Sequence, residues 1–159
     1  MQKIAQRICR IQLAIGTLFM VCFFIATTIQ IAARYLGIVA MWTEEVAVYS
    51  FIYAVFMGAS IMLYYDEHFK FTGLIDKFPV KMRTSFNMIM TILVMCFTLF
   101  LFASGLQIVK QFWSFRLVAL PFIRMGYIWT CIPVAGLTMS LYSFNKILIM
   151  FHGIKKKEG

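Results

Sequence analysis

Two carboxylates stand side by side at the head of a run suited to lipid. The stretch "WTEEVAVYSFIYAVFMGAS", residues 42–60, carries Glu44 and Glu45 and then stays uncharged as far as Tyr65. A lone carboxylate in hydrocarbon is costly, so such residues are expected at a boundary, in a pair, or at work. Other reactive groups are few. Histidine occurs only at His68 and His152, and cysteine at Cys9, Cys22, Cys96 and Cys131. None of them falls into a CxxC, HExxH, GxSxG or phosphate-loop pattern. Paired histidines inside an apolar run, which a haem would require, are missing too. The cysteines read as small apolar fillers. Neither catalysis nor a bound metal or cofactor is expected.

The elements that must position the glutamates are long apolar helices. Of 159 residues, 62% are hydrophobic and 13% charged, more apolar surface than one soluble core of this size can hide. The apolar residues fall into four blocks, about 11–33, 45–65, 85–109 and 126–150, each near or above the roughly 20 residues that cross a bilayer. The expected fold is an all-α integral membrane protein. One four-helix domain would cover residues 1–159, with no separate soluble domain. Lys3, Arg7 and Arg10 precede the first block, which is longer than the apolar core of a signal peptide, so an uncleaved first span is expected.

Local signals mark the ends of the spans. Arg34 in a last turn followed by Gly37 is a helix stop. Thr43 is the expected N-cap of span two, which puts both glutamates in its first turn, where the helix dipole favours negative charge. A polar connection with Asp66, Glu67, His68, Gly73 and Pro79 leads to span three. Pro133 lies near the start of span four and is expected to kink it. Between spans three and four, "KQFWSFRLVALPFIRMG" is short, aromatic and basic, with Arg116 and Arg124. It reads as a segment lying flat at the membrane surface, with Phe112, Phe115, Ala119 and Phe122 as an apolar face. Trp42, Trp113, Tyr127 and Trp129 gather at the same end, as an interfacial aromatic belt would.

The net charge of +9 comes from residues between and outside the apolar blocks. It therefore points to topology and to contact with membrane lipid rather than to nucleic acid. Eleven basic residues fall on the side of the two termini, against Arg34, Lys110, Arg116 and Arg124 on the other. The excess places both termini in the cytoplasm. Glu44, Glu45 and Arg34 then share the outer face, where spans one and two turn back on each other. An Arg34–carboxylate pair, with Glu44 or with Glu45, is expected to pin that hairpin or a partner's surface. The plainer alternative is a solvated helix N-terminus. Ala54, Gly58, Ala59 and Ser60 give span two a small-xxx-small step suited to close helix contact. Ion-coupled transport by this chain alone is not expected, because the four span interiors carry no charged residue.

With these features in place the chain resembles the small, DctQ-like membrane subunit of tripartite ATP-independent periplasmic (TRAP) transporters. The resemblance lies in an Arg closing span one and then R…W-x-E-E…F-x-G-A…H…P. Here these are Arg34, Trp42, Glu44, Glu45, Phe56, Gly58, Ala59, His68 and Pro79. The later "YIWTCIPVAG", through Trp129, Pro133 and Gly136, is similar to the family's aromatic-then-IPxG stretch. The departure is "YYDEH", where many relatives have a basic residue shortly before the histidine.

The resemblance implies a large partner subunit in the bacterial inner membrane that holds substrate and sodium sites and moves as an elevator. It also implies a periplasmic binding protein that delivers an organic acid such as sialic acid, a C4-dicarboxylate or a sugar acid. This chain would brace the large subunit, and Arg116 and Arg124 would either anchor their segment to lipid headgroups or meet the docked binding protein. A self-sufficient four-span exporter of the multidrug type is the competing reading. It would want a glutamate within span one, and residues 11–33 contain none.

Overall fold

The computed structural model describes residues 2–65 and 80–155, and among these it is helical with no strand. In chain order the helices are α1 (Gln2–Tyr35), α2 (Met41–Tyr64), α3 (Val80–Phe112), the short α4 (Met125–Trp129) and α5 (Cys131–Lys155). Four stretches are long and apolar enough to cross a membrane: Lys3–Tyr35, Met41–Tyr64, Phe86–Phe112 and Met125–Met150. The all-α, four-span reading therefore stands.

α1 ends as its sequence dictates. Gly37 takes φ +69°, the left-handed conformation open to a residue without Cβ. The Ile38 N–H then donates to the Ala33 carbonyl (2.9 Å) and the Gly37 N–H to that of Arg34 (3.3 Å). This closes the last turn as a Schellman motif.

α2 starts earlier than expected. Ala40 is its N-cap, with no side-chain hydrogen bond. Thr43 is not the cap: it is fully buried and its hydroxyl donates back to the Ala40 carbonyl at 2.6 Å. A hydroxyl with its own acceptor in the preceding turn releases the helix to begin at Met41, and Glu45 moves into the second turn.

Pro133 acts one step upstream of itself. It lacks the N–H that would donate to the Trp129 carbonyl, so the span breaks at Thr130, between α4 and α5. The Thr130 hydroxyl donates to the Tyr127 carbonyl at 2.6 Å, and the ladder resumes with the Val134 N–H on the Thr130 carbonyl at 3.1 Å.

α5 is the hub. It packs against α3 on one side and α2 on the other, and α1 packs mainly on α2. Half of its span is buried within the protein, against 17–22% in the other three. The α3–α5 crossing is made by two glycines in reciprocal contact. A Cβ on Gly105 would stand 2.7 Å from the Pro133 nitrogen, and one on Gly136 would stand 2.7 Å from the Phe102 nitrogen. Both are backbone-to-backbone contacts that only glycine permits.

The face that α2 buries is Thr43, Ala47, Ser50, Ala54, Met57 and Ser60, a three-and-four repeat of mostly small residues. Met57 meets Gly16 of α1, where an added Cβ would lie 3.2 Å from the Met57 Cβ. Gly58 is not part of this seam, contrary to expectation: nothing lies within 4 Å of a Cβ built there. One residue past Met57, it is turned about 100° away from the buried face. Of those small residues Ala54 and Ser60 lie on the buried face, while Ala59 is half-buried.

Candidate functional site

Glu45 rises from the second turn of α2 and reaches the segment between α3 and α4. Its two carboxylate oxygens accept from the backbone N–H groups of Val118 (2.8 Å) and Ala119 (3.1 Å). Two adjacent amides aimed at one carboxylate form a small anion cradle, and the charge on the acceptor strengthens both bonds.

The segment that supplies those amides is a hairpin-shaped loop. The Met125 N–H donates to the Phe115 carbonyl (2.9 Å) and the Leu117 N–H to that of Ile123 (3.2 Å). These bonds set Arg116 and Arg124 opposite each other as an isolated antiparallel bridge. Arg116 also donates from Nη1 to the Pro121 carbonyl at the tip (2.9 Å). Leu117 points inward and is 4% exposed, anchoring the loop in the protein. Both arginines are exposed. The loop therefore presents a pair of exposed cations and is tied to α2 by a carboxylate that accepts one amide hydrogen bond on each oxygen. Of its expected apolar face, the Phe112 ring packs on Phe115 (5.7 Å between centroids) and on Trp129 (5.8 Å), while Phe115 and Phe122 are exposed.

Arg34 takes no part in this arrangement. Among the described residues no ion pair joins it to Glu44 or Glu45; it shares only the rim of a groove with the exposed Glu44. The expected pair is thus replaced by the Glu45 clasp. The reason is competition: two backbone donors held by a folded loop occupy the carboxylate, so no guanidinium is required. Trp42, in the first turn of α2, is exposed, and Trp113 packs edge-on against Tyr127 at 5.2 Å. Trp129 lines a cluster with Met57, Cys131 and Ile132, and its Nε1 is buried without a partner. His68 and Pro79 lie outside the described residues.

A second polar cluster, built of neutral side chains, lies within the spans. Gln12 of α1 is 3% exposed. Its Nε2 donates to Thr138 Oγ1 of α5 (2.8 Å) and lies 3.9 Å from Met57 Sδ of α2. Its Oε1 accepts from the Tyr142 hydroxyl of α5 (2.7 Å). One amide thus ties three helices together. Nearer the Glu45 end, the Tyr53 hydroxyl lies 2.7 Å from the Tyr127 carbonyl and 2.8 Å from Thr130 Oγ1, where span four is broken. The signal in the sequence is a bulky amide inside an apolar block, in step with Ala5 and Cys9 on the buried side of α1. Such a residue needs an internal partner because lipid offers none.

The model of the family described as the DctQ component of tripartite ATP-independent periplasmic transporters matches residues 23–152. No curated protein matches the chain. The chain belongs to the DctQ family, the small permease component of these transporters, a family of transporter parts and not of enzymes.

Proposed function

We propose that this chain is the accessory scaffold of a sodium-coupled importer of organic acids, bracing a large elevator-type subunit in the bacterial inner membrane. One observation carries the reading. The buried polar side chains of the described spans are a glutamine, threonines and serines, and none is a carboxylate, a histidine or a cation. The glutamine cluster is spent on holding α1, α2 and α5 together. An ion-coupled carrier needs ionisable or ion-ligating groups near the bilayer midplane, and here the polar groups serve packing.

Sodium and substrate sites then belong to the large subunit. The substrate is an organic acid such as sialic acid, a C4-dicarboxylate or a sugar acid, delivered by a periplasmic binding protein. Both termini are cytoplasmic, which the basic excess on their side supports. The hairpin with Arg116 and Arg124 then faces the periplasm as a pair of exposed cations on a loop held by Glu45, suited to an acidic rim on the binding protein.

Reconstitution tests the whole reading. In liposomes the chain alone gives no uptake, and sodium-dependent uptake of an organic acid appears when the large subunit and the binding protein are added. Solute movement by the chain alone would overturn the proposal in favour of a self-sufficient exporter. An alkaline phosphatase fusion after Lys157 is expected to be inactive, and an active one would reverse the orientation.

A further inference from the structure

With Glu45 taken by the hairpin, Arg34 and Glu44 are left as opposite charges that do not meet. Among the described residues neither side chain has an ion pair or a hydrogen bond. Both line one open groove of about 600 Å³, at the end of the bundle where α1 turns into α2. Glu45 does not line it. α1 contributes Gln30, Ile31 and Arg34, α2 contributes Met41 and Glu44, and Ile38 of the turn forms the outer lip. Inward from the two charges the surface is apolar. Ile31 and Phe24 of α1 and Val48 and Phe51 of α2 are exposed there, and the two helices meet through the Phe23 and Phe51 rings, 5.2 Å apart. Val48 and Phe51 follow Glu44 on one face of α2, about 6 Å and 10 Å deeper along its axis.

We propose that this groove holds the headgroup of a phosphatidylethanolamine, its phosphate on Arg34 and its ammonium on Glu44, with an acyl chain laid inward along Ile31, Val48 and Phe51. The unspent charges name the ligand class. A plain anion would leave the carboxylate facing like charge, and a plain cation would do the same to the guanidinium. A zwitterion answers both. A guanidinium suits the phosphate, and a primary ammonium brings N–H donors to the carboxylate that a choline headgroup lacks. The order with depth is that of a phospholipid. The two charges come first, the Gln30 amide lies one turn further in at the level of the glycerol esters, and the apolar strip follows. Ile38 at the lip shields the polar contacts from bulk water, which strengthens them. A soluble zwitterion would make no use of the strip. The inference does not depend on which side of the membrane this end faces, nor on what the transporter carries.

Native mass spectrometry of the full chain, released from neutral-detergent micelles with and without any copurifying subunit, reads the site. With phosphatidylethanolamine, phosphatidylcholine and phosphatidylglycerol supplied at equal concentration, the wild type is expected to retain phosphatidylethanolamine about tenfold over either of the others. Glu44→Gln should bring phosphatidylethanolamine down to the level of phosphatidylcholine, because the phosphate contact stays. Arg34→Gln should lower the retention of all three lipids, and Arg34→Lys should keep it. Arg10→Gln removes the same charge from the opposite end of α1 and should leave the wild-type preference. Circular dichroism spectra superposable on the wild type show that each variant is folded. O-phosphoethanolamine in large excess should leave the lipid adduct in place. A preference that survives Glu44→Gln, or an equal loss in Arg10→Gln, would overturn the assignment. Displacement by the soluble headgroup would overturn it in favour of a soluble zwitterion. An adduct absent whenever a second subunit is bound would overturn it in favour of a protein partner.

Discussion

The α3–α5 crossing and the outer flank of α2 both carry glycine, and they use it in opposite ways. At the crossing, Gly105 and Gly136 bring two backbones together so closely that an added Cβ on either would lie 2.7 Å from a main-chain nitrogen of the other helix. On α2, Gly58 follows the small-xxx-small pattern associated with such contact, and a Cβ there meets nothing within 4 Å. A spacing of small residues specifies that close approach is sterically permitted. It does not say from which side a neighbour comes. That is decided by the partner helix, and for α2 the decision falls on Met57, one residue away.

Substitutions can break this contrast. The largest effect is expected at the crossing, where Gly136→Ala or Gly105→Ala forces two backbones apart. A loss of about 3 kcal/mol is expected, read as thermal unfolding in detergent, since neither neighbour is a flexible side chain. If Gly136→Ala melts with the wild type, α3 and α5 stand farther apart than described. Gln12→Leu comes next. It strands the Tyr142 hydroxyl in an apolar interior and should cost about 1–2 kcal/mol in the same measurement.

Glu45→Ala should act more locally. Its main readout is hydrogen exchange at Val118 and Ala119, which should accelerate while the stability falls by about 1 kcal/mol or less. Slow exchange retained in that variant would mean the hairpin holds itself. Smallest of all, Gly58→Leu in the chain alone should change stability by less than about 0.5 kcal/mol. A large loss there would place a neighbour where none is described and erase the contrast.

The same comparison shows what was legible in the residues. The four spans were plain because lipid imposes length and apolarity on every residue of a helix, and the end of α1 was plain because Gly37 at positive φ is a local requirement. Membership of the transporter family rested on ordered landmarks such as Arg34, Trp42 and the Glu44–Glu45 pair, and it stands. Less legible was what these landmarks touch. Glu45 finds backbone N–H groups, which every residue but proline possesses and no side-chain pattern announces. Arg34 was given a partner because opposite charges at one end invite pairing, yet Coulomb attraction at an exposed site is weak beside two directed hydrogen bonds. Gln12 carries no charge to mark it among the apolar residues of its span. Thr138 and Tyr142, which give it meaning, lie 126 and 130 residues further along the chain.

The length of α1 has its own consequence. Its 34 residues extend about 50 Å, against a hydrocarbon thickness of about 30 Å. Absorbing the excess by inclination alone would need an angle beyond the usual limit of about 40°. The turns that bear Lys3, Arg7 and Arg10 therefore stand in water as a ledge about 14 Å tall, and the early turns of α3 rise on the same side. A companion gripping this protein only within the lipid would leave that ledge bare, so a full embrace has to reach past the membrane surface.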